Sequence, residues 1–158
     1  MDELVKFKDW WTKARPFVVP YNHCVVFDNN IRGAVLYRAE CWQVQLFILD
    51  PNTVIPEHQH PNVDSFELYM GGDIEFTING KCFTPRDAGP SARGTSEFFA
   101  QFIRVTPDTW HGASSGPQGG SFISIQQWLN GVKPTNVGDD WIHQPDQDKR
   151  NYADARAV

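Results

Sequence analysis

Residues 54–72 read VIPEHQHPNVDSFELYMGG, and two histidines one residue apart stand at the centre of this segment. Side chains in a β-strand repeat with a period of two residues, so His58 and His60 project from the same face of an extended chain. Both imidazoles can therefore reach one ion. Pro61 and Asn62 then form a turn that reverses the chain.

Further ligand-type side chains follow this pair. The extended run after the turn carries Asp64 and Glu67, so a carboxylate can return to the two histidines. Much later, residues 105–112 read VTPDTWHG, and the turn within them delivers His111. Three imidazoles and a carboxylate form a ligand set that suits a divalent transition metal.

Length and charge restrict the class of protein. A chain of 158 residues predicts one domain. Lysine and arginine number 14 against 19 aspartates and glutamates, which gives a formal net charge of −5 without a basic cluster. We therefore expect neither nucleic acid nor an anionic membrane surface as a partner.

The start of the chain and its cysteines predict a cytoplasmic protein. Residues 1–4 are acidic where a secretory signal is basic, and no apolar run is long enough to span a bilayer. Cys24, Cys41 and Cys82 are an odd, widely spaced set without a Cys-x-x-Cys pair. This spacing indicates three ordinary thiols rather than a disulfide framework or a sulfur-ligated zinc site.

The order of local patterns predicts an all-β domain. Residues 2–14 have helical spacing of apolar side chains, so residues 1–17 are interpreted as a short N-terminal helix and lead-in. Residues 18–130 form the predicted barrel, and residues 131–158 an irregular C-terminal tail that packs loosely on it. The barrel contains about ten short strands without intervening helices, a pattern typical of a sandwich or barrel. They are predicted at 24–27, 34–38, 42–49, 54–58, 66–70, 74–78, 81–84, 98–105, 109–113 and 122–129.

Turn residues separate these strands. Asn79-Gly80 is the strongest hairpin signal, because this pair tolerates the positive φ angles of a type I′ turn. Residues 71–73 and 115–120 are rich in glycine and are expected to be turns between strands. Residues 85–96 are expected to be a loop between two halves of the barrel.

The two histidine blocks resemble the paired motifs of the cupin superfamily. The first block runs from His58-Gln59-His60 to Gly72, and the second is residues 106–112, TPDTWHG. The resemblance implies a small antiparallel jelly-roll barrel and frequent homodimers. It also implies a divalent metal held by three histidines and usually one glutamate. The family's glycine in the second block is replaced by Asp108, which is tolerated in a turn that needs positive φ.

The carboxylate ligand stays open between three alternatives. Aligned without a gap, the family pattern places Ser65 where its glutamate stands, and Ser65, Glu67 and Tyr69 then share the inner face. Glu67 is the favoured ligand. In the opposite register Asp64 points inward instead, and in the third alternative no carboxylate binds the metal.

Several other side chains are candidates for the substrate pocket. Gln45 and Gln126 lie inside apolar strands, where exposure is the default but an inward orientation would supply amide donors. Trp110, beside His111, packs at the rim or stacks on substrate. Arg104 and Arg38 are able to bind a substrate carboxylate through a forked pair of hydrogen bonds.

These observations lead to a metal-dependent enzyme hypothesis. A small oxygenated metabolite would bind at the metal, which is Fe(II), Mn(II), Ni(II) or Zn(II). The reaction would be dioxygenation, or Lewis-acid isomerisation, decarboxylation or elimination. If Glu67 is not a ligand, it would act as general base with a pKa raised by burial, and Tyr69 would donate a proton. The alternative is a non-catalytic cupin that binds or senses a metabolite or metal chelate.

Overall fold

The computed structural model describes residues 25–28, 30–84, 102–135 and 140–145, which contain nine β-strands and no helix. The strands are β1 Val25–Asp28, β2 Ile31–Ala39, β3 Trp42–Leu49, β4 Val54–Gln59, β5 Val63–Ile78, β6 Lys81–Phe83, β7 Phe102–Val105, β8 His111–Trp128 and β9 Ile142–His143. Every pairing is antiparallel, which confirms the predicted all-β class. The predicted N-terminal helix and the loop at 85–96 lie outside the described residues. Within the described residues, no helix has the length and apolar character to cross a membrane.

Strand β8 connects the two sides of the sheet. Its first half pairs with β4 and with the second half of β5, and its second half pairs with β3 and the first half of β5. The sheet path runs β1-β2-β3-β8-β4-β9, and β5 also pairs with β6 and β7. Residues far apart in sequence therefore meet on the inner face of β8.

Two predicted turns lie inside long strands instead. Residues 71–73 and 115–120 were expected to end strands, but β5 continues through the first and β8 through the second. The pairing of β5 with β8 shifts register on each side of Gly71-Gly72, and Gly72 has φ +92°. Bulges at these glycines bend the strands without ending them. The Asn79-Gly80 turn is confirmed, with φ of 48° and 73°.

Aromatic and aliphatic side chains fill the space between the strands. Phe47 of β3 stacks on Phe122 of β8 with ring centroids 5.0 Å apart, and Phe76 of β5 meets Phe122 edge-on at 5.2 Å. Ile55 and Ala113 extend this buried cluster toward β4. Alternation along each strand places these groups inward, so the same faces also carry the polar residues of the site.

A described part of the predicted tail, residues 140–145, contacts the barrel at β4. Its strand β9 pairs with β4, with His58 opposite His143 and Gln59 opposite Ile142. Gln144 Nε2 also donates to Glu57 Oε2 at 3.4 Å. Residues 142–143 therefore extend the sheet beside His58 of β4.

Gly112 permits the close approach of β8 to β4 beside the histidines. A Cβ at this position would lie 2.7 Å from Ile55 O and 3.1 Å from Glu57 N. Both are backbone atoms of β4, so neither can move without the strand. We expect Gly112→Ala to lower the free energy of unfolding by about 1–3 kcal/mol in urea denaturation.

Gly116→Ala is the matched control on the same strand. Its added Cβ would meet the Asp73 carboxylate, with Oδ2 at 2.0 Å, which is the end of a side chain that can rotate away. The Gly116 variant should therefore lose less stability than the Gly112 variant. Equal losses would show that packing against β4 does not limit residue 112.

Candidate metal site

Three buried imidazoles converge between β4 and β8. His58 lies in β4, His60 follows its last residue, and His111 is the first residue of β8. One ring nitrogen from each lies within 4.8 Å of the others. His58 and His111 are direct partners across the two strands. The sequence prediction that these three histidines meet is therefore supported by the geometry.

Backbone hydrogen bonds set the tautomers of two of these rings. His58 Nδ1 lies 2.8 Å from Pro56 O, and His111 Nδ1 lies 2.9 Å from Thr109 O. A carbonyl oxygen only accepts, so Nδ1 must carry the proton in each ring. The Nε2 lone pair of each neutral imidazole is then available to a metal.

Burial and the neighbouring histidines favour the neutral form of the His58 and His111 rings. Desolvation, then the positive charges that His111 and His60 would carry, lower the pKa of His58 well below its ordinary value. Desolvation and the neighbouring His60 lower the pKa of His111 to about 4. Neutral imidazole is the form that binds metal. The donor set therefore fits a divalent cation chemically.

An acidic residue of the tail approaches the third ring. Asp140 Oδ1 lies 3.3 Å from His60 Nδ1, although the atoms are too poorly aligned for a hydrogen bond. Trp128 Nε1 donates to the other oxygen of Asp140 at 3.2 Å. A small rotation would complete the carboxylate–imidazole contact, an arrangement that orients metal-binding histidines in other proteins.

Trp141 covers one side of the histidine cluster. Its ring stacks on His58 with centroids 3.6 Å apart and an interplanar angle of 8°, and it meets His60 edge-on at 5.9 Å. His143 follows, with its ring 6.3 Å from that of His58. Sequence reasoning did not identify these residues as part of the site. The available signal was an aromatic residue within a polar tail.

Glu67 lies on the inner face of β5, in the register that the gapless alignment predicts. Ser65 Oγ and Ser124 Oγ donate to its Oε1 at 2.8 and 3.0 Å, whereas the buried Oε2 has no partner among the described residues. Burial raises the pKa of Glu67 to about 7, although the two serine hydrogen bonds act in the opposite direction.

Glu67 is not a member of the three-histidine cluster. Its carboxylate is not part of the described cluster whose ligand atoms lie within 4.8 Å of one another. It nevertheless lines the same pocket as the three histidines. The geometry thus favours the three-histidine alternative over the predicted Glu67 ligand, and it leaves this carboxyl group facing the ligand space.

Asp64 and Arg104 lie on the outside of the barrel, which corrects their predicted places in the site. Arg104 Nε and Nη2 donate to the two oxygens of Asp64 at 3.0 and 2.6 Å. This pairing lowers the pKa of Asp64. Asp64 neighbours the inward-facing Ser65, so the strand alternation directs its side chain outward, away from the histidines.

Tyr69 does not take its predicted place in the pocket, and Trp110 does not line the pocket either, so only its alternative role of packing at the rim stays a prediction. Tyr69 OH donates to Gly72 O at 2.9 Å. The Tyr69 ring instead packs partly against the core. Asp108, in the turn before Trp110, has φ 59°, as the sequence predicts for this position.

The two glutamines point inward rather than toward solvent. Gln126 is 8% exposed and lines the pocket. Gln45 is 1% exposed and does not line it, and its Nε2 donor has no partner among the described residues. The default expectation of exposure is therefore wrong for both residues, and only Gln126 reaches the ligand space.

These residues enclose a pocket with an empty volume of about 380 Å³, including its open mouth. Its lining combines polar and ionisable side chains with apolar and aromatic ones. Its lining comprises Phe47, Ile55, His58, His60, Glu67, Phe76, His111, Gly112, Ala113, Phe122, Ser124, Gln126 and Trp141. Such a mixed lining is typical of small-molecule sites.

The raised pKa of Glu67 predicts a pH-dependent stability in metal-free protein. The pKa rises from 4.5 to about 7 on folding, so its favourable contribution is present below pH 4.5 and lost as the pH approaches 7. This shift corresponds to about 3 kcal/mol. In urea denaturation, the free energy of unfolding of Glu67→Gln relative to that of the wild type should increase by up to this amount between pH 4.5 and 7.5.

Asp64→Asn is the control on the same strand for this experiment. The pKa of Asp64 is lowered by Arg104, so this carboxyl stays ionised in both states throughout the chosen pH range. The free energy of unfolding of this variant should therefore change with pH in the same way as that of the wild type. A pH-independent difference for Glu67→Gln would contradict the desolvation of its carboxyl group.

Comparisons with known proteins identify the fold. No family model matches the chain, and no curated protein matches it. KdgF from a Halomonas species superposes with a TM-score of 0.53 at 16% identity, over 68% of this chain and 88% of that one. An uncharacterised protein with a double-stranded β-helix domain from Klebsiella pneumoniae superposes with a TM-score of 0.54 at 21% identity, over 77% of this chain and 90% of that one. The cupin domain of Schizosaccharomyces pombe Cnp3 gives 0.52 at 13% identity, over 71% and 72%. The chain therefore has the fold of the cupin superfamily.

Proposed function

We propose that this protein is a metal-dependent enzyme that transforms a small oxygenated molecule in its barrel. The observation that carries this proposal is the position of Glu67 beside the three-histidine cluster. An imidazole set suited to a cation shares one pocket with a carboxyl whose pKa is about 7. A group that titrates near neutral pH is suited to accept and return a proton during a reaction.

The pocket lining favours a substrate with a polar end and an apolar body. His58, His60 and His111 converge at one side of the pocket, and Phe47 and Phe122 contribute to its apolar wall. A carboxylate, carbonyl or hydroxyl oxygen would face the cation, while a hydrocarbon or ring portion would pack against the aromatic side chains.

Each polar residue has a distinct task in this proposal. Ser65 and Ser124 hold Glu67 Oε1 in place, so that Oε2 faces the substrate as the proton acceptor. The Trp141 ring shields His58 from solvent and keeps the site dry. A divalent ion held by the three imidazoles would supply Lewis-acid or dioxygen chemistry.

Metal analysis tests the ligand assignment. We expect purified protein to take up one equivalent of Fe(II), Mn(II), Ni(II) or Zn(II), and His111→Ala to weaken binding by more than about 100-fold. Glu67→Gln should retain the ion, because Glu67 is outside the cluster. Elemental analysis and thermal shifts with added metal measure both outcomes. Retention of the ion by His111→Ala would refute the site.

Turnover assays separate an enzyme from a binding module. Metal-loaded protein is incubated with catechols, thiols and 2-oxo acids, with and without dioxygen. Metal-dependent oxygen uptake would identify an oxygenase, and anaerobic turnover a Lewis-acid enzyme. In either case we expect Glu67→Gln to lower kcat by about 100-fold or more, the scale of general-base catalysis. Asp64→Asn, whose carboxyl is paired outside the barrel, is the control.

The alternative function is a cupin that binds a metabolite without transforming it. Saturable binding of these compounds without turnover would favour this alternative. The same pocket and histidines would then serve affinity alone, and Glu67→Gln would change binding rather than rate.

We also propose that the protein works as a cytoplasmic homodimer. Exposed apolar side chains on the outer side of β5 support the dimer, with Phe66 43% and Met70 53% exposed. Such groups are common where two subunits meet. Light scattering should give twice the chain mass, and a monomeric mass would reject the dimer.

A further inference from the structure

A row of polar side chains runs across four strands beneath the pocket. Arg38 of β2 lies opposite Gln43 of β3, Gln43 lies opposite Gln126 of β8, and Gln126 lies opposite Ser65 of β5. Gln43 is 1% exposed and Gln126 is 8% exposed, so both amides sit inside the barrel. Of these four residues, only Gln126 lines the pocket.

The Arg38 guanidinium group, at one end of this row, determines which way the side-chain amides of Gln43 and Gln126 are oriented. Arg38 Nε donates to Gln43 Oε1, and a guanidinium group can only donate. Gln43 must therefore turn its Nε2 away from Arg38. That Nε2 donates to Gln126 Oε1 at 3.3 Å. The acceptor of Gln126 is thereby engaged, and its two Nε2 hydrogens are left for the pocket.

We propose that Arg38 and Gln43 are positioning residues that make Gln126 a donor toward the ligand. The site would consequently select small molecules that place an acceptor oxygen, above all a carboxylate oxygen, beside Gln126. A ligand with an NH₂ group at this point would face another donor and be rejected. This inference rests on the proposed function, because it concerns the ligand that binds at the three-histidine site.

Arg38 is itself held in place from another side. Its Nη2 donates to Thr135 O at 3.1 Å, in the segment that follows β8. The guanidinium group therefore bridges this backbone and Gln43. Without it, the Gln43 amide could rotate by half a turn, and the Gln126 amide could rotate with it at little cost in energy.

Oxalate and oxamate are matched probes for this polarity, since oxamate replaces one carboxylate oxygen of oxalate with NH₂. The whole 158-residue chain is loaded with Co(II). Each probe is then added in steps, and the visible spectrum of the bound metal reports its affinity. Oxalate carries one more negative charge than oxamate, so every variant should prefer oxalate to some degree. The informative quantity is therefore the change in the oxalate-to-oxamate affinity ratio between the wild type and each variant. We expect Arg38→Met and Gln43→Leu each to lower the oxalate-to-oxamate ratio by about tenfold.

Three comparisons distinguish polarity from a general loss of structure. Arg38→Lys should keep most of the ratio, because an ammonium group can also donate to Gln43 Oε1. Arg32→Met removes another arginine of β2, which pairs with Asp50 at 3.3 Å, and should leave the ratio unchanged. The affinity for Co(II) should stay the same in all variants. An unchanged ratio in Arg38→Met, or an equal fall in Arg32→Met, would overturn the inference.

Metal-free protein gives a second test that does not depend on the proposed function. In ¹⁵N-labelled wild type, the Gln43 Nε2 protons should exchange slowly with water, since one is bonded to Gln126 in a buried position. Arg38→Met should accelerate this exchange by about tenfold or more, and Arg38→Lys should restore it. If the wild type fails to bind Co(II), the metal assignment fails. The exchange rate of the Gln43 amide protons still tests whether Arg38 orients Gln43 and Gln126. Equal exchange in wild type and Arg38→Met would reject it.

Discussion

The pairing of β8 with its neighbours is the constraint on which the structure depends. At the start of β8, His111 lies opposite His58 of β4, which brings the imidazoles together. Further along, Ser124 lies opposite Glu67 of β5, and Gln126 lies opposite Gln43 of β3. One strand thus positions both the histidine cluster and the other polar residues that line the same pocket. A slip of one residue would turn all of these side chains outward.

Burial gives the two halves of the pocket opposite protonation behaviour. Loss of water disfavours any charged form, so it lowers the pKa of His58 and His111 and raises that of Glu67. The imidazoles stay neutral and able to bind metal, while the carboxyl titrates near pH 7. A single physical cause, the loss of water, therefore shifts the pKa values of the two imidazoles and of the carboxyl group in opposite directions. The cupin fold supplies the enclosure, and the proposed reaction would depend on these particular side chains.

Residues 140–143 add contacts to the site that the three histidines form. Strand β9 adds to β4, Trp141 stacks on His58, and Asp140 approaches His60. The pocket is consequently narrower and more aromatic than the three histidines alone would make it. Arg38 of β2 also donates to the backbone carbonyl of Thr135. Segments beyond the last long strand thus contribute to both the cover and the support of the pocket.

The sequence by itself determined what depends on local alternation and local backbone angles. The period of two placed His58 with His60 and Ser65 with Glu67, and Asn79 and Asp108 adopt the positive φ that their turns need. Only the tertiary structure decided which groups meet across strands. It paired Asp64 with Arg104 outside the barrel, oriented the glutamines of the row, and brought Trp141 onto the histidines. These contacts join distant positions through strand register and bulges, and a local residue pattern carries no information about either.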